Sequence, residues 1–567
     1  MSHSHHPQGF LGKYVFSFDH KVIGIQYIVT AMMMALVGGA LALMIRMQIT
    51  WPGKAIVSPE TYLSLVTMHG TIMIFFVVSL ALVSGLGNFV IPLQVGAKDM
   101  AYPLLNMLSY WVIVPACALM VGSFFVEGGA ASAGWTSYPP LSAVKGAVPG
   151  SQMGQTLWLL AMALFIVSFT MGGLNYLTTI LCCRAPGLSM MRLPLVIWHF
   201  LLATILGLLS FPALTAAAVL LLFDRHLGTS FYLPSGLIIG DTVLKNGGGT
   251  PLLFQHLFWF LGHPEVYVLV LPAVGVAFDV IPTFTRRPPF GYRVTVTALM
   301  VIGVLSMIVW GHHMFLTGMN PYVGEYFSVA TVLITVPFAV LGVNLLASLW
   351  RGRIRLAAPM LFALGLISTI GAGGFGGLYL GTATSDIYLH DTYFVVGHFH
   401  LMIGVTTLLA TFAGIYYWFP KMFGRHMNET FGKIHFWLTY APMLLLFVSM
   451  HLQGLGGALR RQYDPTSYEY ARSVREIDPI LTALAIVVVS SQSIFVVNFV
   501  WSAFKGKKAA ENPWEATTLE WTTPSPAPHG NWDATPVVTH MPYVFGKNGA
   551  KKDYVMQGQV PEREKVA

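Results

Sequence analysis

The chain is 567 residues long with a formal net charge of +8; 55% of its residues are hydrophobic and only 10% are charged. Soluble domains carry about 25% charged residues, so this composition excludes an ordinary soluble domain and points to a polytopic membrane protein. The basic surplus belongs to loops at a membrane surface, where lysine and arginine collect, and not to nucleic-acid binding.

A membrane span needs roughly 20 apolar residues. Twelve such runs follow in chain order: 22–45, 63–93, 101–125, 155–181, 194–222, 252–283, 294–317, 327–350, 357–380, 393–418, 434–455 and 479–504. Short loops join them. The expected fold is therefore an all-α membrane protein, one bundle of about twelve transmembrane helices over 22–505, between an N-terminal segment 1–21 and a polar tail 506–567. The opening MSHSHHPQGFLGKYVFSFDH lacks the apolar core and small-residue cleavage site of a signal peptide, so the first span is expected to direct insertion. His3, His5 and His6 in it read as a solvated terminus. Loops on the side of the termini hold Lys98, Arg184, Arg192, Arg286, Arg287, Arg351, Arg353 and Arg355, a bias that places both termini in the cytoplasm. Cys117, Cys182 and Cys183 show no metal spacing and read as small apolar packing residues. The tail stretch TTPSPAPHG should be extended, not helical.

Ionisable residues inside spans are costly and mark functional sites. Eight histidines lie there: His69, His199, His263, His312, His313, His398, His400 and His451. A lone intramembrane histidine is most often a hydrogen-bonded packing residue, and His199 in VIWHF is read that way. His398 and His400 in VVGHFH are two apart on one helix, so they project about 200° from each other and suit two cofactors on opposite sides. His312 and His313 in VWGHHMF form an adjacent pair to which His263 can add a third imidazole; three imidazoles with an open position suit copper, zinc or iron. His69 can join one of His398 and His400 as a second axial ligand, and bis-histidine ligation suits an electron-transferring haem. His263 and Tyr267 in FWFLGHPEVYVLVLPAVG share a helix face at i and i+4. Glu265 faces elsewhere, and a carboxyl at that depth fits a proton relay better than a structural charge.

These residues, in order and spacing, resemble subunit I of the haem-copper terminal oxidases, from FSFDHKVIG through NPWEATTLEW. The resemblance implies that His69 and His400 are axial to a low-spin haem, His398 to a high-spin haem, and that His263, His312 and His313 hold copper (CuB), with Tyr267 linked to His263. It implies magnesium ligands at His390 and Asp391 in LHDTYF, at an interface with another subunit. Arg460 and Arg461 in ALRRQYDP and Trp135 in GWTSYPPL would neighbour haem propionates, and Arg46 the haem periphery. NFVIPLQVGAKDMAYPLLN resembles the start of the family's D proton pathway: Asp99 at the mouth, Asn88, Asn106, Asn175 and Ser168 along it, Glu265 at its end. The haems are expected to be haem A, although Arg46 does not discriminate between types.

The chain also departs from the family pattern. Its second proton route needs a lysine, a threonine and a serine where Leu341, Phe338 and Phe278 stand, and apolar side chains hold no water wire. Asp279 at the inner end of that route would not carry protons past two phenylalanines, so the Asp99 route is expected to supply all of them. Val37, Leu41, Thr61 and Ser64 replace the polar set of quinol-oxidising relatives, which favours cytochrome c or a similar protein as donor. No CuA motif is present, so electrons should arrive through a subunit II that carries CuA, with subunit III, other oxidase subunits and membrane lipid as further partners. The activity implied is reduction of dioxygen to water, with proton pumping, in a bacterial cytoplasmic (inner) membrane. A nitric oxide reductase on the same scaffold is the alternative, disfavoured by Tyr267. A transporter has no need of His398 and His400 flanking two cofactors.

Overall fold

A computed structural model describes residues 9–51, 54–239, 242–244, 247–546 and 552–558; His3, His5 and His6 lie outside them. Helix starts follow local chemistry. Helix α1 (His20–Thr50) begins where Asp19 accepts the Lys21 N–H at 2.9 Å. Helix α2 (Pro59–Val95) begins behind Ser58, with Pro59 in its first turn, and ends at Gly96, whose φ of 75° suits glycine. Then come α3 (Pro103–Gly122), α4 (Met153–Cys182), α5 (Leu195–His226), α6 (Pro251–Thr285), α7 (Tyr292–Ser306), α8 (Pro321–Leu349) and α9 (Ala358–Leu380). Helices α10 (Tyr393–Phe423), α11 (Glu429–Leu455) and α12 (Asp478–Lys505) complete the bundle.

Eleven of these twelve helices are long and apolar enough to cross a membrane. The exception is α7. The run 294–317 reads as a full span, yet the helix stops at Ser306 and a 3₁₀ turn covers Trp310–Met314. Tertiary packing overrides the apolar pattern there. Trp310 packs edge-on to Phe327 with ring centroids 5.3 Å apart, and a Cβ on Gly311 would meet the Phe327 ring at 2.3 Å.

The most apolar windows of α2 and α6 are 94% and 89% buried, against 28–56% for the other nine long helices, so α2 and α6 form the interior. Both carry candidate site residues. The backbone of α2 is π-wound over Ile72–Leu86, just after His69, and that of α10 over His400–Val405; such windings recur at functional sites.

The described termini share one face, called here the terminal face. Asp19 meets His529, Lys21 meets Asn531, and the Gly424 carbonyl accepts from Ala509. Among the described residues the tail is irregular apart from short turns and a hairpin of two-residue strands, Val544–Phe545 with Tyr554–Val555, as its proline content dictates. Leu519, Trp521, Val538 and Tyr543 are nevertheless buried in the same apolar core as the bundle.

Candidate functional site

Three imidazoles converge where α6 meets the Trp310–Met314 turn. The ligand-capable nitrogens of His263, His312 and His313 all lie within 4.8 Å of one another. His312 and His313 face each other through Nε2 atoms 3.0 Å apart. The Thr331 hydroxyl donates to the Phe327 carbonyl, so its oxygen accepts from His312 Nδ1 at 2.8 Å and the lone pair of His312 stays on Nε2. Both ring nitrogens of buried His263 lack any hydrogen-bond partner. A buried imidazole with two orphaned nitrogens, beside two others, fits a soft or borderline metal ion. Trp259 stacks on His313 at 3.8 Å and 8°, which fixes that ring. Tyr267 stands 4.9 Å from His263, ring to ring, one turn along α6.

A second set lies between α2 and α10. His69 and His400 hold their rings 6.4 Å apart and 12° from parallel, which leaves room for one metal with bonds of about 2 Å to each ring. His69 donates from Nδ1 to the Gly38 carbonyl at 2.9 Å, His400 to Val396 at 2.9 Å, and His398 to Gly373 at 2.8 Å. All three thus keep Nε2 for a ligand bond, with the ring oriented from behind. His398 points away from His400, toward glycines of α9, where a Cβ on Gly377 would meet its ring at 3.1 Å.

On the face opposite the termini, Asp391 pairs with Arg460, Nε donating at 2.7 Å. Burial raises the Asp391 carboxyl, but Arg460, His390 and Arg461 together outweigh it and hold the group below its ordinary value. His390 turns to Asp386 at 3.0 Å. Arg461 packs under Gly134, beside Trp135, and burial draws its guanidinium down to about 10. Trp135 meets Trp259 edge to face at 5.9 Å and covers Gly70, next to His69. Arg46 is held by α12: Nη2 donates to the Asp478 carbonyl at 2.8 Å and lies 3.3 Å from its carboxylate, while buried Nη1 has no partner.

Toward the terminal face, Asp99 sits in the loop after α2. Burial pushes its carboxyl up to about 7, against the Met100 N–H that it accepts at 2.7 Å. Asn106 is fully buried with both amide atoms unpartnered, and Asn88 has an orphaned oxygen. Asn175 is occupied instead, clasping the Tyr102 backbone through two 2.9 Å bonds. Ser168 and Asn88 line a cavity of about 30 Å³, room for about two waters. Its wall includes Val268, one turn from Glu265, both of whose carboxylate oxygens lack partners.

Sequence reasoning missed Tyr27 and Ser109. The Tyr27 hydroxyl lies 3.0 Å from Ser109 Oγ and 3.3 Å from Ser168 Oγ, and both residues line that cavity. Polar residues on one stripe of each span were the available signal. It also missed Trp259, which looks like any interior aromatic. Phe338 stands edge-on to Tyr267 at 6.3 Å, and Leu341 is buried, so the positions of the second route are filled.

The family described as cytochrome C and quinol oxidase polypeptide I matches residues 22–490. The chain is 46% identical over 561 residues to the alternative cytochrome c oxidase subunit 1 of Bradyrhizobium diazoefficiens, covering 98% of this chain and 95% of that one. It is 42% identical over 535 residues to cytochrome c oxidase subunit 1 of Thermostichus vulcanus, covering 94% and 92%. A solved heme-copper terminal oxidase dimer aligns with a TM-score of 0.71 at 17% identity, over 86% of this chain and 84% of that chain, a likeness of fold.

Proposed function

The chain belongs to the cytochrome c and quinol oxidase polypeptide I family, and from that premise we infer the working of its site. It is the catalytic subunit of a terminal respiratory oxidase, a multi-pass integral membrane protein that uses haem and copper and assembles with partner subunits such as subunit II. The observation that carries the finer reading is the pairing of the His263–His312–His313 cluster with the parallel His69 and His400 rings.

In this reading His263, His312 and His313 would hold copper, His69 and His400 together would hold the low-spin haem, and His398 would hold the high-spin haem. When bound, these groups supply the one-electron and dioxygen chemistry. The protein's own part is ligation, orientation and proton supply. Tyr267 stands next to the cluster and gives a proton from its hydroxyl. Arg460 and Arg461 would balance the haem propionates with Trp135 beside them, and Arg46, whose Nη1 has no partner, would neighbour the haem periphery. His390 and Asp391 take magnesium together with groups of another subunit.

Protons enter from the terminal face at Asp99, whose value of about 7 lets it load and release near neutral pH. They pass Asn106, Asn88 and Ser168 to Glu265; Asn175 shapes the mouth through Tyr102. The terminal face is cytoplasmic, in a bacterial inner membrane. The haems are haem A and the donor is cytochrome c, through CuA of subunit II, with subunit III beside them; four electrons and four protons turn dioxygen into two waters, with pumping. The fold divides into segment 1–21, bundle 22–505 and tail 506–567.

Metal analysis with pyridine-haemochrome spectra of the isolated complex tests this reading. Two haems and one copper per chain are expected. Iron without copper would overturn it in favour of a nitric oxide reductase.

A further inference from the structure

Two fully buried carboxyl groups meet at the terminal-face end of α6. Asp279 is 1% exposed and Glu520, from the tail, 0%. Gln94 Nε2 donates to both, at 2.6 Å to Asp279 Oδ2 and 3.0 Å to Glu520 Oε1. The Tyr543 hydroxyl donates to the other oxygen of Asp279. Trp418 and Thr518 donate to Glu520 Oε1, while Glu520 Oε2 and Gln94 Oε1 are buried with no partner. Tyr417 also faces the pair. Lys421 sends its ammonium to the carbonyls of Thr523 and Pro524 and not to either carboxylate. Two fully buried carboxylates joined by one amide donor repel each other when both are ionised, so sharing one proton relieves the pair.

From this pair a line of buried contacts runs into the bundle between α5 and α6, which are packed together and antiparallel. On α6, Val268, Gly275 and Asp279 fall on one stripe; on α5, Leu195, His199, Ala203 and Gly207 do. The stripes face each other. A Cβ on Gly275 would lie 2.8 Å from His199 Cβ, so glycine there makes the room for the imidazole. Leu195 N–H donates to the Tyr543 hydroxyl at 2.8 Å, and the Leu195 carbonyl accepts from His199 Nδ1 at 2.7 Å. That bond puts the ring proton on Nδ1 and leaves Nε2 bare, fully buried and without a partner. Ala203, Gly207 and Val268, the next residues along the two stripes, line the cavity that contains Ser168.

We propose that Asp279 and Glu520 form a second proton inlet on the terminal face, which passes protons through His199 to the Ser168 cavity. It bypasses Phe338 and Leu341, because it turns aside to His199 before reaching them, and it runs along Phe278, whose ring lies 5.6 Å from that of His199. Asp279 lies one turn of α6, about 5.4 Å along the axis, from Gly275, which faces His199, and in this route a water carries the proton across to the ring. A proton leaves the carboxyl pair for His199 Nε2, giving a carboxylate and an imidazolium. Release from the ring to a cavity water restores the neutral tautomer, and the carboxylate reloads from water at the terminal face. The inference rests on the oxidase reading, which supplies the demand for protons inside.

The test uses the holoenzyme in anaerobic stopped-flow reduction, with a pH-indicating dye to follow proton uptake. Asp99→Asn should retain a residual uptake rate. Asp99→Asn with Asp279→Asn, and Asp99→Asn with His199→Gln, should each fall at least about tenfold below it. Equal rates in the single and double variants would overturn the inlet, as would an Asp99→Asn enzyme with no residual rate. Unchanged haem spectra show that the bundle is intact. Should a double variant lose its haems, Tyr543→Phe in the Asp99→Asn background lies outside the spans and must lower the same residual rate. Asp279→Asn should also remove a protonated-carboxyl band from the infrared spectrum of the resting protein, a readout that packing alone would not move. A wild-type protein that consumes no dioxygen sinks the oxidase reading instead, before any variant is compared.

Discussion

His69, His398 and His400 each tie Nδ1 to a main-chain carbonyl, so their liganding role depends on two neighbours, one of which is backbone and cannot be mutated away. His400→Ala or His69→Ala should therefore abolish the low-spin haem signal while the chain still inserts; an unchanged reduced spectrum would refute the pairing. Tyr267→Phe should keep haems and copper bound and lower dioxygen consumption by at least about a hundredfold, because the lost hydroxyl is a proton donor and not a ligand. Oxygen-electrode rates with metal content measured on the same sample decide it. Asp99 makes a pH prediction. Its carboxyl is raised to about 7, so it is protonated below that pH and ionised above it. Proton delivery through it should be flat below pH 7 and fall by up to about tenfold per unit above. A pH profile of turnover checks this, and Asp99→Asn should erase the inflection.

Among elements, α1 and α2 approach closely enough that only glycine fits. A Cβ on Gly24 would lie 2.7 Å from the Gly85 carbonyl oxygen and 3.2 Å from Phe89 N. Gly24→Val should cost about 1–3 kcal/mol by overpacking, seen as a lower melting temperature in detergent, with haem spectra retained in the folded fraction. A melting curve that does not move would show that the two helices can separate without loss. The π-winding after His69 and at His400 matters at the same scale. The reading of α10 as a straight helix separates His398 from His400 correctly, yet it gives no hint of the altered winding at His400.

For the whole molecule, the tail closes the terminal face. Trp521 and Tyr543 are at most 2% exposed, and Leu519 is fully buried. Fully burying such a side chain contributes about 1.5–3 kcal/mol. Truncation after Ala510 should then remove several kcal/mol and uncover Asp279. Thermal melts of the purified complex should show a marked fall; a truncated chain with the full-length melting temperature would mean that the tail only lies on the surface.

Much of this was legible in the residues alone. Twelve apolar runs set the helices because a bilayer demands about 20 apolar residues whatever surrounds them. The histidine spacing set the ligand candidates, because intramembrane imidazoles are rare enough to signal their purpose. Other features belong to contacts between distant segments, which no local pattern encodes. Phe327, from another helix, packs on the turn that follows α7 and carries His312 and His313 beside His263. His199 reads as a packing residue in its own helix, and only α6 shows that it faces Gly275 with a bare nitrogen. Glu520 sits in a tail that composition marks only as polar, and the bundle buries it beside Asp279. Periodicity records which face of a helix is apolar; which groups meet across two faces is fixed only when the helices pack.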